Sequence, residues 1–237
     1  MFGVCEIRET ISDFSLGVIT GAAFVDSINP CAIAVLLILL WGLLFSGTKE
    51  KVLKAGFSFI LAIFLAYFLI GIGLFSFFIK ISSLISASLL HKIVGSFGIL
   101  IGLFNIKDFF FYGKGFLMEI PLAWRPKLKN LLQEVTSPIS AFLIGLLVTF
   151  FELPCTGGPY CFTLGYLSKK ITLFQLIPYL IYYNVIFILP LLLILGLIYF
   201  GFLKVEEAED WRQKNIRLLH LIAGLVMLSL GALIFFL

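Results

Sequence analysis

Charge is what this sequence lacks. Asp, Glu, Lys and Arg make up 13% of its 237 residues while 61% are hydrophobic, with a mean hydropathy of +1.14. A soluble globular domain carries about 25% charged and about 45–50% apolar residues. The deficit excludes a water-soluble globule and predicts an all-α polytopic membrane protein, organised in bilayer-spanning segments within one membrane domain. The net charge of +4 gives no reason to expect nucleic acid, because lysine and arginine gather in the cytoplasmic loops of membrane proteins for topological reasons. Histidine is limited to His91 and His220. Both are expected at helix edges, forming no cluster with the cysteines, so no metal site and no bound cofactor are expected. The apolar runs lack the period-two alternation of a barrel strand, which leaves helices as the spanning element. The first thirteen residues, with Glu6, Glu9 and Asp13 against Arg8, lack the basic start of a cleavable signal peptide.

Six apolar runs are present: Phe14 to Phe45, Val52 to Ile79, Ile93 to Tyr112, Ile139 to Leu167, Leu173 to Leu203 and Ile216 to Leu237. Each is long enough to cross about 30 Å of hydrocarbon at about 1.5 Å per residue. The connections after the first, third and fifth runs, together with the run ends that adjoin them, hold 12 of the 17 Lys and Arg residues. The positive-inside rule makes those connections cytoplasmic and puts both termini outside the cell membrane. The longest connection, residues 113–137, divides the domain (1–237) into two three-helix sets, 1–112 and 138–237. Three crossings are an odd number, so the second set is expected to be inverted relative to the first.

Two segments interrupt the pattern at corresponding places. The first run contains DSINPC, Asp26 to Cys31, and the fourth contains FELPCTGGPY, Phe151 to Tyr160. Interrupted hydrophobic segments at matching positions of two halves are the sequence pointer to a site at the bilayer midplane. Proline has no N–H and its ring crowds the carbonyl four residues back, so Pro30 and Pro154 are expected to break or kink their helices and to free the carbonyls of Asp26 and Phe150. Asn29 is suited to satisfy freed backbone groups. Gly157, Gly158 and Pro159 extend the second irregular segment.

Cys31 and Cys155 each follow such a break, and each lies about 17 residues into its run. A new half-helix beginning there offers free N–H groups and the positive end of its dipole, which favour a thiolate. Desolvation opposes it. Two thiols activated in this way point to a reversible Cys31–Cys155 disulfide, whose exchange moves two electrons through a mixed disulfide without a cofactor. Asp26 and Glu152 are intramembrane carboxylates, suited to a relay, a counter-charge or a cavity wall. Tyr182, Tyr183 and Asn184 lie between Pro178 and Pro190, where cavity lining and core packing are both open readings. Cys5 and Cys161 are expected to have no redox role, and Glu206 to Asp210, EEAED, reads as a solvated connection.

The NPCA and PCTGGP motifs, six runs, outer termini and 124 positions from Cys31 to Cys155 together resemble the CcdA family and the similar membrane domain of the disulfide reductase DsbD. The chain departs from that family in reading AIAVLL after Cys31 and in carrying a second glycine before Pro159. The resemblance covers essentially the whole chain. It implies an integral membrane thiol–disulfide oxidoreductase that draws electrons from cytoplasmic thioredoxin and delivers them to extracytoplasmic thioredoxin-like proteins of cytochrome c maturation. Cys31 and Cys155 would be the redox pair, supported by Pro30, Pro154, Thr156 and Pro159. A competing expectation is a small-solute or metal-cation exporter of the same inverted plan that binds its cargo at Asp26 and Glu152.

Overall fold

The computed structural model describes residues 16–17, 19–28, 30–46, 49–84, 86–112, 137–168 and 171–235; the side chains at 30–31, 45–46, 82–84, 87, 90–91, 151–157 and 234 lie outside that description. Among the described residues helix is the only regular structure. Helices α1 (Ile19–Ser27) and α2 (Pro30–Ser46) are the two arms of the first run and meet at 40°. They are followed by α3 (Lys49–Leu84), α4 (Ala87–Phe110), α5 (Pro138–Leu167), α6 (Leu173–Phe200) and α7 (Val205–Phe235). Four helices, α3, α4, α6 and α7, are long and apolar enough to cross a membrane, and the α1–α2 pair makes a fifth as one bent span. The chain is a multi-pass helical membrane protein.

Local signals account for the helix starts. Ser86 caps α4 by accepting from Leu89 N at 3.3 Å, and Ser137 and Ser140 form a reciprocal capping box ahead of α5, with Pro138 in its first turn. At Thr172 the backbone N–H donates to Gln175 Oε1 at 3.0 Å as α6 begins. Gly201 ends α6 with φ of 79°, the left-handed conformation that glycine adopts without strain.

Packing follows from apolar surface on all sides. Phe57, Leu69, Phe77, Leu143, Phe150, Leu189 and Leu193 all point outward, as a lipid-facing shell requires. Inside, α4 and α7 form the most extensive pair, α3 packs against both α5 and α6, and α2 touches α3, α5 and α7. The α4–α7 seam is built on small residues. A Cβ added at Gly102 would lie 2.9 Å from Gly224 O, and one at Gly231 would lie 2.8 Å from Ile99 N, so the two backbones meet directly.

Two expectations are corrected. α5 is one continuous helix of 30 residues through Pro154, Cys155, Gly157, Gly158 and Pro159, where a break was expected. Proline removes one backbone bond and crowds one carbonyl, a local cost that a helix packed between neighbours absorbs without ending. α6 does the same at Pro178 and Pro190. Second, α7 begins at Val205, eleven residues before the apolar run at Ile216, so EEAED forms its first turns and is not a connection. Glu206 and Glu207 sit at the positive end of the helix. Glu209 is bound by Arg212 through Nε at 2.9 Å and Nη2 at 2.6 Å, a same-face pair one turn apart.

Candidate functional site

The sequence-predicted residues fall on three elements. Asp26 lies in the last turn of α1 and is 3% exposed. Pro30 and Cys31 open the first turn of α2, so Cys31 does occupy a helix N-terminus after a break. Asn29 lies outside the described residues. Glu152, Pro154, Cys155, Thr156 and Gly157 are on the continuous part of α5, where Cys155 has no helix terminus beside it; the reason is the unbroken backbone just described. Their side chains, like those of Pro30 and Cys31, are outside the description, and with them the Cys31–Cys155 and Asp26–Glu152 separations. Gly158 and Pro159 are buried. Gly158 faces Met227 of α7 and Ile101 of α4, which a Cβ would approach to 2.9 and 3.1 Å.

Around Asp26 the fold builds a buried polar cluster. Tyr183 of α6 donates its hydroxyl hydrogen to Asp26 Oδ2 at 2.9 Å. Tyr160 of α5 donates to the backbone carbonyl of Tyr67 in α3 at 2.7 Å. The Tyr160 ring meets the Tyr183 ring edge-on at 5.1 Å and the Tyr67 ring at 5.6 Å, and Tyr67 also contacts Phe187 at 4.8 Å. Tyr67 and Tyr183 lie near the middle of their helices, so the cluster sits at mid-bundle. Gly71, one turn after Tyr67, has no side chain where the Tyr160 hydroxyl reaches in; an added Cβ would collide with that oxygen. Thr20 Oγ1 and Tyr182 OH, 3.0 Å apart, add a second tie between α1 and α6.

Sequence reasoning did not raise Tyr160, left Asn184 open to cavity lining or core packing, and expected no redox role for Cys161. Asn184 is 0% exposed, and among the described residues neither its Oδ1 nor its Nδ2 has a hydrogen-bond partner. Its carboxamide comes near enough to the Tyr160 hydroxyl to act on it, without reaching hydrogen-bond geometry. Cys161, half-buried, directly follows Tyr160 on α5. The cluster thus gathers Asp26 from beside one Pro-Cys element and Tyr160 and Cys161 from beside the other. It can hold a proton on a carboxylate and orient hydroxyl groups around it.

A second buried polar group was missed as well. His220, expected at a helix edge, lies within α7 and is buried. Its Nδ1 is 3.0 Å from Asn105 Oδ1. Asn105 Nδ2 donates to Ile101 O at 3.0 Å, which leaves Oδ1 as the acceptor and makes Nδ1–H of His220 the donor. The Tyr112 ring lies 6.0 Å from the His220 ring, tilted at 47° to it, and buried Asp108 pairs with Lys107 at 2.7 Å. The available signal was the spacing of three between Asn105 and Asp108 on α4, with Tyr112 four residues further on, just past its end. No protein-family model, curated protein or solved structure matches the chain.

Proposed function

We propose that the chain is a transmembrane thiol–disulfide carrier that cycles a Cys31–Cys155 disulfide, taking electrons from a cytoplasmic dithiol protein of the thioredoxin type and passing them to extracytoplasmic thioredoxin-like proteins of cytochrome c maturation. One observation carries the reading. The two Pro-Cys elements ride on α2 and α5, which pack against each other, and the flanks of both converge on the single cluster of Asp26, Tyr160, Cys161 and Tyr183. In the inward step the partner dithiol gives up two electrons and two protons and closes its own disulfide. The Cys31–Cys155 bond breaks, and its two sulfurs receive them as thiols. The outward step is the reverse, onto an outer disulfide.

The resemblance to the CcdA family supports this chemistry, and the helix pairing supports the architecture of six spans in two inverted three-helix repeats. α4 pairs with α7 and α3 with α6, which are corresponding helices of the two halves; α2 touches α7 as α5 touches α4. With both termini outside the cell membrane, the α2–α7 cleft of about 420 Å³ opens to the cytoplasm. It is lined by Leu37, Ile38 and Trp41 on the Cys31 helix and by Glu206, Glu209 and Asp210.

The test is thiol counting by mass-shifting alkylation in detergent, before and after reduced thioredoxin, with peptide mapping. Cys31 and Cys155 are expected to be protected together at first and to become alkylated together after thioredoxin. Free labelling of both from the outset, with no oxidant able to protect the pair, sinks the reading. The burial of Asp26 against Tyr183 favours one other reading, a cation exporter using Asp26 and Glu152. That reading expects Cys31→Ser and Cys155→Ser to keep transport and Asp26→Asn to abolish it.

A further inference from the structure

Asn184 poses a specific chemical question. Its carboxamide is fully buried at mid-bundle and offers an acceptor, Oδ1, and a donor group, Nδ2, neither of which is met by another described residue. Buried polar groups left unmet are costly, and native interiors satisfy them with protein or with ordered water. The surrounding hydroxyl groups are already oriented. Tyr160 has committed its hydrogen to Tyr67 O and Tyr183 has committed its hydrogen to Asp26, so both phenol oxygens have only lone pairs left to offer. Among the described residues the titratable groups of this cluster are Asp26, Tyr67, Tyr160 and Tyr183, with Cys161 next to Tyr160 in sequence, contributed by α1, α3, α5 and α6.

A guest that suits these walls must accept from Asn184 Nδ2 and donate to Asn184 Oδ1 and to the phenol oxygens. A metal cation meets the oxygens but not the N–H groups. Water meets both, and it can also carry an extra proton to a neighbouring carboxylate. We propose that the space bounded by Asn184, Tyr160, Tyr183 and Asp26 is a water-binding site through which Asp26 exchanges protons at the middle of the membrane. The step balances simply: a hydronium gives its proton to the Asp26 carboxylate, leaving water and a neutral acid, and release is the reverse. Asn184 is the positioning residue, holding the water that Asp26 uses. This goes beyond the disulfide reading and does not depend on it.

The test is infrared difference spectroscopy of reconstituted protein in the Cys31→Ser/Cys155→Ser background, which keeps the outcome separate from disulfide chemistry. The acid C=O band of Asp26 is assigned by its loss in Asp26→Asn, and its shift is followed after mixing into D2O. Exchange is expected within the mixing time in the parent chain, at least tenfold slower in Asn184→Leu, and restored in Asn184→Gln, which keeps donor and acceptor. Should the leucine variant fail to fold, Asn184→Met supplies the apolar replacement on a flexible chain. Exchange at the parent rate in the apolar variant overturns the proposal, as does the absence of any Asp26 acid band between acidic and alkaline buffer. So does a gain in thermal stability on removing the amide with exchange unchanged.

Discussion

Tyr183→Phe removes one oxygen from the bundle and isolates the contribution of the Asp26 bond. The hydroxyl donates to Asp26 Oδ2 at 2.9 Å between α6 and α1, with both residues buried. A hydrogen bond to a charged acceptor in a soluble protein contributes about 1.5–3 kcal/mol. In a membrane bundle the separated helices also find partners, and interhelical bonds stay below about 1.7 kcal/mol. The membrane reference governs here, so Tyr183→Phe should cost about 1–1.7 kcal/mol, close to a tenfold rise in the unfolded fraction. Phenylalanine keeps the ring contact with Tyr160 at 5.1 Å, so packing contributes little to the loss. The assay is denaturing-detergent unfolding followed by circular dichroism, run as a double-mutant cycle with Asp26→Ala. Once Asp26 is gone, Tyr183→Phe should cost almost nothing. A cost within about 0.3 kcal/mol of the wild-type value in both backgrounds would show that the bond contributes no coupling and refute the reasoning.

Four further outcomes follow from the same geometry. Gly102→Leu forces a Cβ to 2.9 Å from Gly224 O and Leu228 N, backbone atoms that yield only if α4 and α7 separate; it should cost about 3 kcal/mol. Gly196→Leu, with open space around it, should stay within about 0.5 kcal/mol by the same unfolding assay. Gly71→Ala should displace the Tyr160 hydroxyl and destabilise, but cost about 1 kcal/mol less in a Tyr160→Phe background; equal costs in the two would mean the hydroxyl does not fill that space. Asn105→Leu should cost about 1–3 kcal/mol by stranding the His220 Nδ1–H, whereas adding His220→Phe should recover most of it, because replacing both partners with apolar groups is nearly neutral.

Composition made the membrane helices legible, since four spans and the bent α1–α2 pair coincide with runs visible in the sequence. The break before Pro30 was legible for the same reason that Asp26 was, because both are wrong for hydrocarbon. The continuity of α5 was not, since a proline states a local cost and only the packing of α3 and α4 against the helix decides whether it ends there. The partner of Asp26 was legible only in part. Tyr183 and Asn184 were open to cavity lining or core packing, and Tyr160 stood out in no way until the rotation of three helices brought them to one cluster. The extension of α7 through EEAED was missed because hydropathy marks where a helix enters lipid, while the Glu209–Arg212 pair and the acidic first turn stabilise helix outside it.

The difference between the two Pro-Cys elements bears on the carrier reading. Both carry a Pro-Cys pair inside an apolar run, yet the first is bent by 40° between α1 and α2 while the second continues through α5 as unbroken helix. Two corresponding elements in a symmetric static protein should adopt similar conformations. In a carrier of two inverted repeats they should not, because a site open to one side and closed to the other requires the halves to differ. Exchanging the two conformations then converts one facing into the other. On that logic the continuous Pro154 segment would be the counterpart of the bent Pro30 segment, and its proline and adjoining glycines would supply the capacity to bend in the opposite state. The Asp26–Tyr183 bond ties the bent arm to α6 at the site itself, so a change in the break that shifts α1 against α6 would disturb that bond. Redox chemistry at Cys31 and the protonation of Asp26 would therefore be coupled through the backbone that joins them.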